Sequence, residues 1–260
     1  MTGRNRSIAI GVIALGLLVA SCGVTDGDSD SEPQQVPGPV YSNVWSAGAD
    51  VSIFSRGAEL TRAALEAGEY ATYVGAAQSF PGYLDALPGY ISSTNPAVED
   101  YFFSNQPGES QQKPTTFFRH IAELEESKRT VNATVCDYWI DPDGTANPGP
   151  NQLRGAWWVK LSNPGGDPGV PAVADTDART NDQREHPIPT WNVFGSWKID
   201  KLKYVPIEEI PRSCVDWWQE RFPTFVPRNG SNVLDPPEGY VPETMPVAVQ
   251  YPEWIGPPTS

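Results

Sequence analysis

The spacing of the apolar residues changes once along this chain, and that change limits the fold more than any other feature. Between Asp50 and Leu87, Ile53, Phe54, Leu60, Ala64 and Leu65 recur at three- and four-residue intervals, the period of an amphipathic helix. Gly68 is read as an interruption, with Tyr70, Tyr73, Val74 and Ala77 resuming the pattern until Phe80-Pro81-Gly82. The expectation is therefore a helix pair followed by a short third turn before Pro88. From Thr116 the period falls to two, as a half-buried strand requires. His120, Ala122 and Leu124 are placed on one face of a first strand, with Glu125 to Lys128 as its turn. A second strand runs from Arg129 to Ile140, with Val131, Ala133 and Val135 on one side and Asn132, Thr134 and Cys136 on the other. Asp141-Pro142-Asp143-Gly144 is a turn signal, Arg154 to Ser162 a third strand, and Trp191 to Val205 a fourth beyond a long Gly/Pro/Asp-rich loop from Asn163 to Pro189. Helices first and strands afterwards predict an α+β fold with N-terminal helices packed on an antiparallel sheet, not alternating βαβ units.

The N-terminus constrains location. Arg4 and Arg6 precede an apolar stretch from Ser7 to Ala20, too short for the roughly 18 to 20 residues of a membrane span. It closes on Leu18-Val19-Ala20-Ser21-Cys22, which resembles a bacterial lipobox. That resemblance implies cleavage before Cys22, diacylglyceryl transfer to its thiol, and a mature protein anchored to the cell membrane on its extracytoplasmic face. Two acyl chains suffice for stable anchoring at about 0.8 kcal/mol per buried methylene. Processing removes two of the 18 basic residues and none of the 32 acidic ones, leaving a net charge of −16. So acidic a chain is repelled by phosphate backbones, which argues against nucleic acid as a partner.

Four segments follow: a signal at 1–21, a tether at 22–40, a folded domain at 41–215, and a proline-rich tail at 216–260. The tether is polar with almost nothing to bury, as a disordered linker is. Its alternating Asp26, Asp28, Asp30 and Glu32 lack the Gly and Glu that a calcium loop needs, since Ser31 and Pro37 stand there. The tail cannot be regularly helical, yet Val233, Leu234, Tyr240, Val241 and Trp254 make it too apolar for a spacer, so it either wraps the domain or docks on a partner.

With Cys22 lipidated, Cys136 and Cys214 remain. In a translocated protein this pair is a disulfide candidate, the alternative being two buried thiols. A bridge across their 78-residue separation is worth about 4.5 kcal/mol by chain entropy. His120 and His186 are the sole imidazoles and no Cys-x-x-Cys occurs, so neither a metal site nor a cofactor is expected.

Leu65-Glu66-Ala67-Gly68-Glu69-Tyr70, the cysteine-bearing strand Thr130 to Asp137, and Gly195-Ser196-Trp197-Lys198-Ile199-Asp200-Lys201-Leu202 followed by Cys214 together resemble the secreted nuclear transport factor 2-like domains of actinobacterial lipoproteins. The resemblance covers about residues 50 to 215. It implies a sheet curved into a cone or cystatin-like roll, a Cys136–Cys214 bridge, and a cavity at the open end. Enzymes of that superfamily place a carboxylate base and a Tyr, His or Asp partner inside the cavity, so Tyr70, Tyr73, His120 and Glu123 are its candidate residues here. The same residues also read as ordinary strand and helix-core positions, and no hydrolase or phosphate-loop motif occurs. No catalytic residue is assigned. The tryptophan pairs Trp157-Trp158 and Trp217-Trp218 are candidates for an aromatic patch facing a glycan or protein, although alternation places half of each pair in the core. The sequence thus reads as a non-catalytic envelope binding module for a partner protein or a small apolar or glycan ligand. The alternative is a small-molecule carrier or enzyme using the cone cavity.

Overall fold

The computed structural model describes residues 38–88, 98–99, 102, 111–144, 152–176 and 182–257. The signal, Cys22 and the tether as far as residue 37 lie outside the described residues. The fold is α+β. The main strands are β1 (Ser42–Ala47), β2 (Thr116–Glu126), β3 (Thr130–Ile140), β4 (Gly155–Ser162) and β6 (Lys198–Tyr204). They form one open sheet in the order β1-β2-β3-β4-β6. Helices α1 (Arg56–Val74) and α2 (Tyr83–Ala86) precede β2, and α3 (Arg212–Arg221) follows β6. Four two-residue strands complete the set as two small ladders, β5 (Glu185–His186) with β9 (Trp254–Ile255) and β7 (Val226–Pro227) with β8 (Leu234–Asp235).

The sheet is mixed, not purely antiparallel, because β1 runs parallel to β2, with Trp45 opposite Arg119. That strand is not anticipated. Ser42, Asn43 and Ser46 break the alternation of apolar residues that marks β2 and β3.

Helix α1 begins at Ser55, whose hydroxyl accepts the Ala58 amide at 3.2 Å. It is one helix of 19 residues and runs straight through Gly68. The glycine is there for contact, not for interruption: a Cβ at Gly68 would lie 3.0–3.2 Å from the buried Phe102 ring. The helix is covered on its outer side as well, since Arg56 donates to Pro168 O at 2.7 Å and Glu59 accepts the Ala172 amide at 2.6 Å. The described part of the loop between β4 and β6 therefore lies over α1. Its turn at Gly195, at φ 56°, abuts the Gly169 backbone, which leaves β6 beginning at Lys198 instead of Trp191.

Each face of the sheet has its own core. Leu60, Ala64 and Tyr70 of α1 meet Ile121, Val131, Ala133, Val135 and Val159 on one face. On the other, Val215 and Trp218 of α3 meet Cys136, Tyr138 and Ala156, with Phe225 and Leu234 beyond. Cys136 and Cys214 sit at disulfide distance there, Cα–Cα 5.4 Å, and tie α3 to β3. The division of β3 into two faces agrees with its alternation. That of β2 does not, because a bulge between Ile121 and Glu123 moves Leu124 to the α1 face, away from His120.

The boundary placed at residue 216 falls inside α3, so the segment after Val215 begins as helix, not as extended chain. Its end returns to the domain. The Tyr251 amide donates to Asn43 O at 2.9 Å, and Tyr251 O accepts the Trp45 amide at 2.7 Å, covering the free edge of β1. Trp254 is fully buried in the α1-side core.

Candidate functional site

Between α1 and the sheet lies a seam of charged and aromatic side chains. Trp45 on β1, Arg119 on β2, Asp137 on β3 and Trp157 on β4 point toward the helix, and Arg62, Glu66, Glu69 and Tyr73 face them from it. Glu66 is the joint: Oε1 accepts Trp45 Nε1 at 2.8 Å and Oε2 accepts Trp254 Nε1 at 2.8 Å. Arg62 Nε stands 3.7 Å from Glu66, its guanidinium lies 4.5 Å over the Trp254 ring, and its Nη2 donates to Pro252 O at 2.8 Å. Burial pushes the Glu66 carboxyl above its ordinary range, and Arg62 with the two indoles opposes the shift.

Arg119 and Asp137 are cross-strand partners. Asp137 Oδ2 accepts Trp157 Nε1 at 2.7 Å, and its backbone carbonyl accepts Trp218 Nε1 at 3.3 Å. Burial raises the Asp137 carboxyl, against the attraction of Arg119. Arg119 is 2% exposed, with Nη2 3.7 Å from Glu69 and its guanidinium 5.6 Å from the Trp45 ring and 5.1 Å from Phe117. Its Nε and Nη1 have no hydrogen-bond partner, nor do Asp137 Oδ1 and Asn43 Oδ1. Orphan polar atoms at this density are uncommon and mark a place where stability is given up. The Glu69 side chain, 20% exposed, lies at the rim with Tyr73 and the buried Tyr41, whose rings are 5.7 Å apart. Burial pushes the Tyr73 hydroxyl up to about 12.

The four pocket candidates do not share one site. Tyr70 is buried in the α1-side core and Tyr73 sits on the rim of the seam. His120 and Glu123 lie on the opposite face. His120 Nδ1 is 2.8 Å from Ser46 Oγ and its ring stacks on Trp217 at 5.0 Å, while the exposed Glu123 accepts Thr134 Oγ1 at 3.2 Å. Burial holds His120 down at about 4. The register of β2 sends Arg119 toward α1 and its neighbour His120 away, so two adjacent polar residues serve different layers. The tryptophans likewise fail to form one patch. Trp157 and Trp218 are interior, Trp157 stacking on Phe102 at 5.3 Å. Trp158 lies under the Lys201 ammonium at 3.3 Å, and Trp217 is covered by His120 and Tyr138.

A second location lies on the surface, where a groove of about 420 Å³ is lined by Glu208 and by Pro227 to Asn232. It separates the 3₁₀ turn Ile207–Glu209 from the β7–β8 hairpin. Ile207 and Val226, the sequence neighbours of the lining residues Glu208 and Pro227, are 38% and 56% exposed. Arg228 is forked onto Asp235 at 3.0 and 2.9 Å, and Asn232 donates to Ile210 O at 2.6 Å, so the hairpin is braced. Sequence reasoning missed this groove. The turn residues Arg228-Asn229-Gly230-Ser231 were its one visible signal, with Gly230 at φ 76°.

Among the described residues no group of three or more His, Cys, Asp or Glu side chains could hold a metal ion, and no helix is long and apolar enough to cross a membrane. The chain matches no family model, no curated protein and no solved structure.

Proposed function

We propose that the protein is a cell-envelope lipoprotein, held at the outer face of the cytoplasmic membrane through a lipid on Cys22, whose α+β domain is a non-catalytic module for binding another envelope protein. In this reading the sheet curves into a cone under α1, and the contact surface is the groove at the β7–β8 hairpin. The observation that carries it is a braced, open groove of mostly polar lining, with the exposed aliphatic residues Ile207 and Val226 next in sequence to its lining residues Glu208 and Pro227. A photo-crosslinking amino acid at Asn229 in the full chain, in its native host, tests this. One discrete adduct is expected that is absent from the same probe at Lys128 and lost with Ile207→Asp or Val226→Asp. Equal labelling at both positions, or an adduct indifferent to those substitutions, overturns it.

A second reading, a small-molecule carrier, is favoured by the unpartnered Arg119, Asp137 and Asn43 atoms in the seam. Native mass spectrometry of the Cys22→Ser chain then shows a small adduct that Arg119→Met removes.

A further inference from the structure

We propose that residues 250–256 form a pH-operated latch, which grips the β1 edge under acid conditions and loosens toward neutral pH. The strap is held at four points. Tyr251 exchanges backbone hydrogen bonds with Asn43 and Trp45; Pro252 O accepts Arg62; Trp254 enters the core and donates to Glu66; and Ile255 and Gly256 bond to Val173 and Arg184. The chain leading into it is loosely held on its solvent side, with Val241 and Val249 81% and 77% exposed.

At the centre of the grip stands Glu253. Its amide donates to Asp175 Oδ2 at 3.0 Å, and the Asp175 charge also acts on its carboxyl. Three further groups act on it: Glu185 on β5, Glu66 on α1, and Arg62 on α1, the one cation among them. Asp175 is buried, and Arg62 is already engaged by Glu66 and Pro252 O. An ionised Glu253 in the docked strap therefore faces three carboxylates across a partly desolvated interface. Desolvation and these neighbours raise Glu253 to about 7.

The docked strap thus binds a proton that the free strap, with an ordinary glutamate near 4.5, releases. Docking is strongest below pH 4.5, weakens as pH rises from there to 7, and levels off above it, by as much as about 300-fold. Release uncovers the Asn43 and Trp45 backbone groups on the β1 edge and the Trp254 slot. An edge so exposed accepts an added strand. The proposal is independent of the groove at the β7–β8 hairpin.

Amide hydrogen exchange on the Cys22→Ser mature chain, from pH 4.5 to 8 and corrected for intrinsic rates, is the test. Protection at Trp45, Tyr251 and Gly256 is expected to fall by up to about 300-fold relative to Val135 at the centre of β3. Glu253→Gln retains the acid-side protection and abolishes the slope, and Glu185→Gln reduces it. Protection that does not change with pH in the unsubstituted chain, or a slope unaltered by Glu253→Gln, overturns the latch.

Discussion

Replacing Glu66 by alanine is the perturbation that most directly tests how α1, β1 and the C-terminal strap are joined. The carboxylate accepts two buried indole N–H groups at 2.8 Å each and stands 3.7 Å from a buried guanidinium. Alanine leaves both indoles without acceptors in the core, at about 1–3 kcal/mol apiece. Arg62 keeps its bond to Pro252 O, so the loss of its partner adds less than the about 3–5 kcal/mol of a fully broken buried pair. Against this, the carboxylate's own burial is costly, which offsets part of the loss. The balance is a destabilisation of about 4 kcal/mol, or a melting shift of about 8–16 °C for a domain of this size. Glu66→Gln keeps the volume and one acceptor and costs about half as much. Urea denaturation with the cysteine pair oxidised gives the values, and double-mutant cycles with Trp45→Phe and Trp254→Phe apportion them. A loss below about 1 kcal/mol, or no coupling with either tryptophan, refutes the joint.

Three more outcomes follow from the geometry. Converting Cys136 and Cys214 to serine is expected to cost about 2–5 kcal/mol, with exchange protection lost first in α3; equal loss throughout the sheet counts against a local role for the bridge. Because His120 titrates near 4 in the folded chain against about 6.5 unfolded, its contribution is intact above pH 6.5 and is lost as pH falls toward 4. Solvent screening reduces the loss to about 1–2 kcal/mol, and His120→Phe, which preserves the stack on Trp217, should remove that acid-side slope. Gly68→Ala gains helix propensity, yet it presses a methyl to 3.0–3.2 Å from Phe102, whose ring is fixed against Trp157. A net loss of about 0.5–2 kcal/mol in thermal unfolding is expected, and a gain in stability refutes the close-contact account of that glycine.

How far the fold was legible depends on how local its signals are. The alternation of β3 sorts Val131, Ala133 and Val135 from Cys136 correctly, since the strand is paired on both sides from Val131 to Asp137 and cannot slip without exposing its core face. In β2 one extra residue reverses the assignment of Leu124, and nothing around Ala122 marks a bulge beforehand. Gly68 shows a similar limit. Local propensity counts a helix glycine as a cost, while the contact that requires it comes from Phe102, 34 positions away. Strand β1 was hidden because parallel pairing with β2 and a return of the chain at Tyr251 satisfy its edges, and both partners are remote in sequence.

The seam was harder still to read, for a reason that bears on any function placed there. Its polar members sit at positions where period alone predicts core: Arg119 alternates with Phe117 and Ile121, and Asp137 with Val135 and Trp139. A sequence reader looking for chemistry passes over them and picks His120, whose polarity is visible but whose Nδ1 is engaged by Ser46 and whose ring stacks on Trp217. Glu66 has structural partners that account for its burial, two indole N–H groups that would otherwise be orphaned, whereas Asp137 accepts one indole N–H on Oδ2 and leaves Oδ1 unmet. Arg119 has no such account. Two of its donors are unmet, but its charge offsets the burial of the Asp137 and Glu69 carboxylates, so replacing it with methionine strands both and should lower the folding stability. Neutralising its cross-strand partner in the same chain, as Arg119→Met with Asp137→Asn, is expected to restore part of that loss in urea denaturation, and a double variant no more stable than Arg119→Met alone refutes the charge compensation.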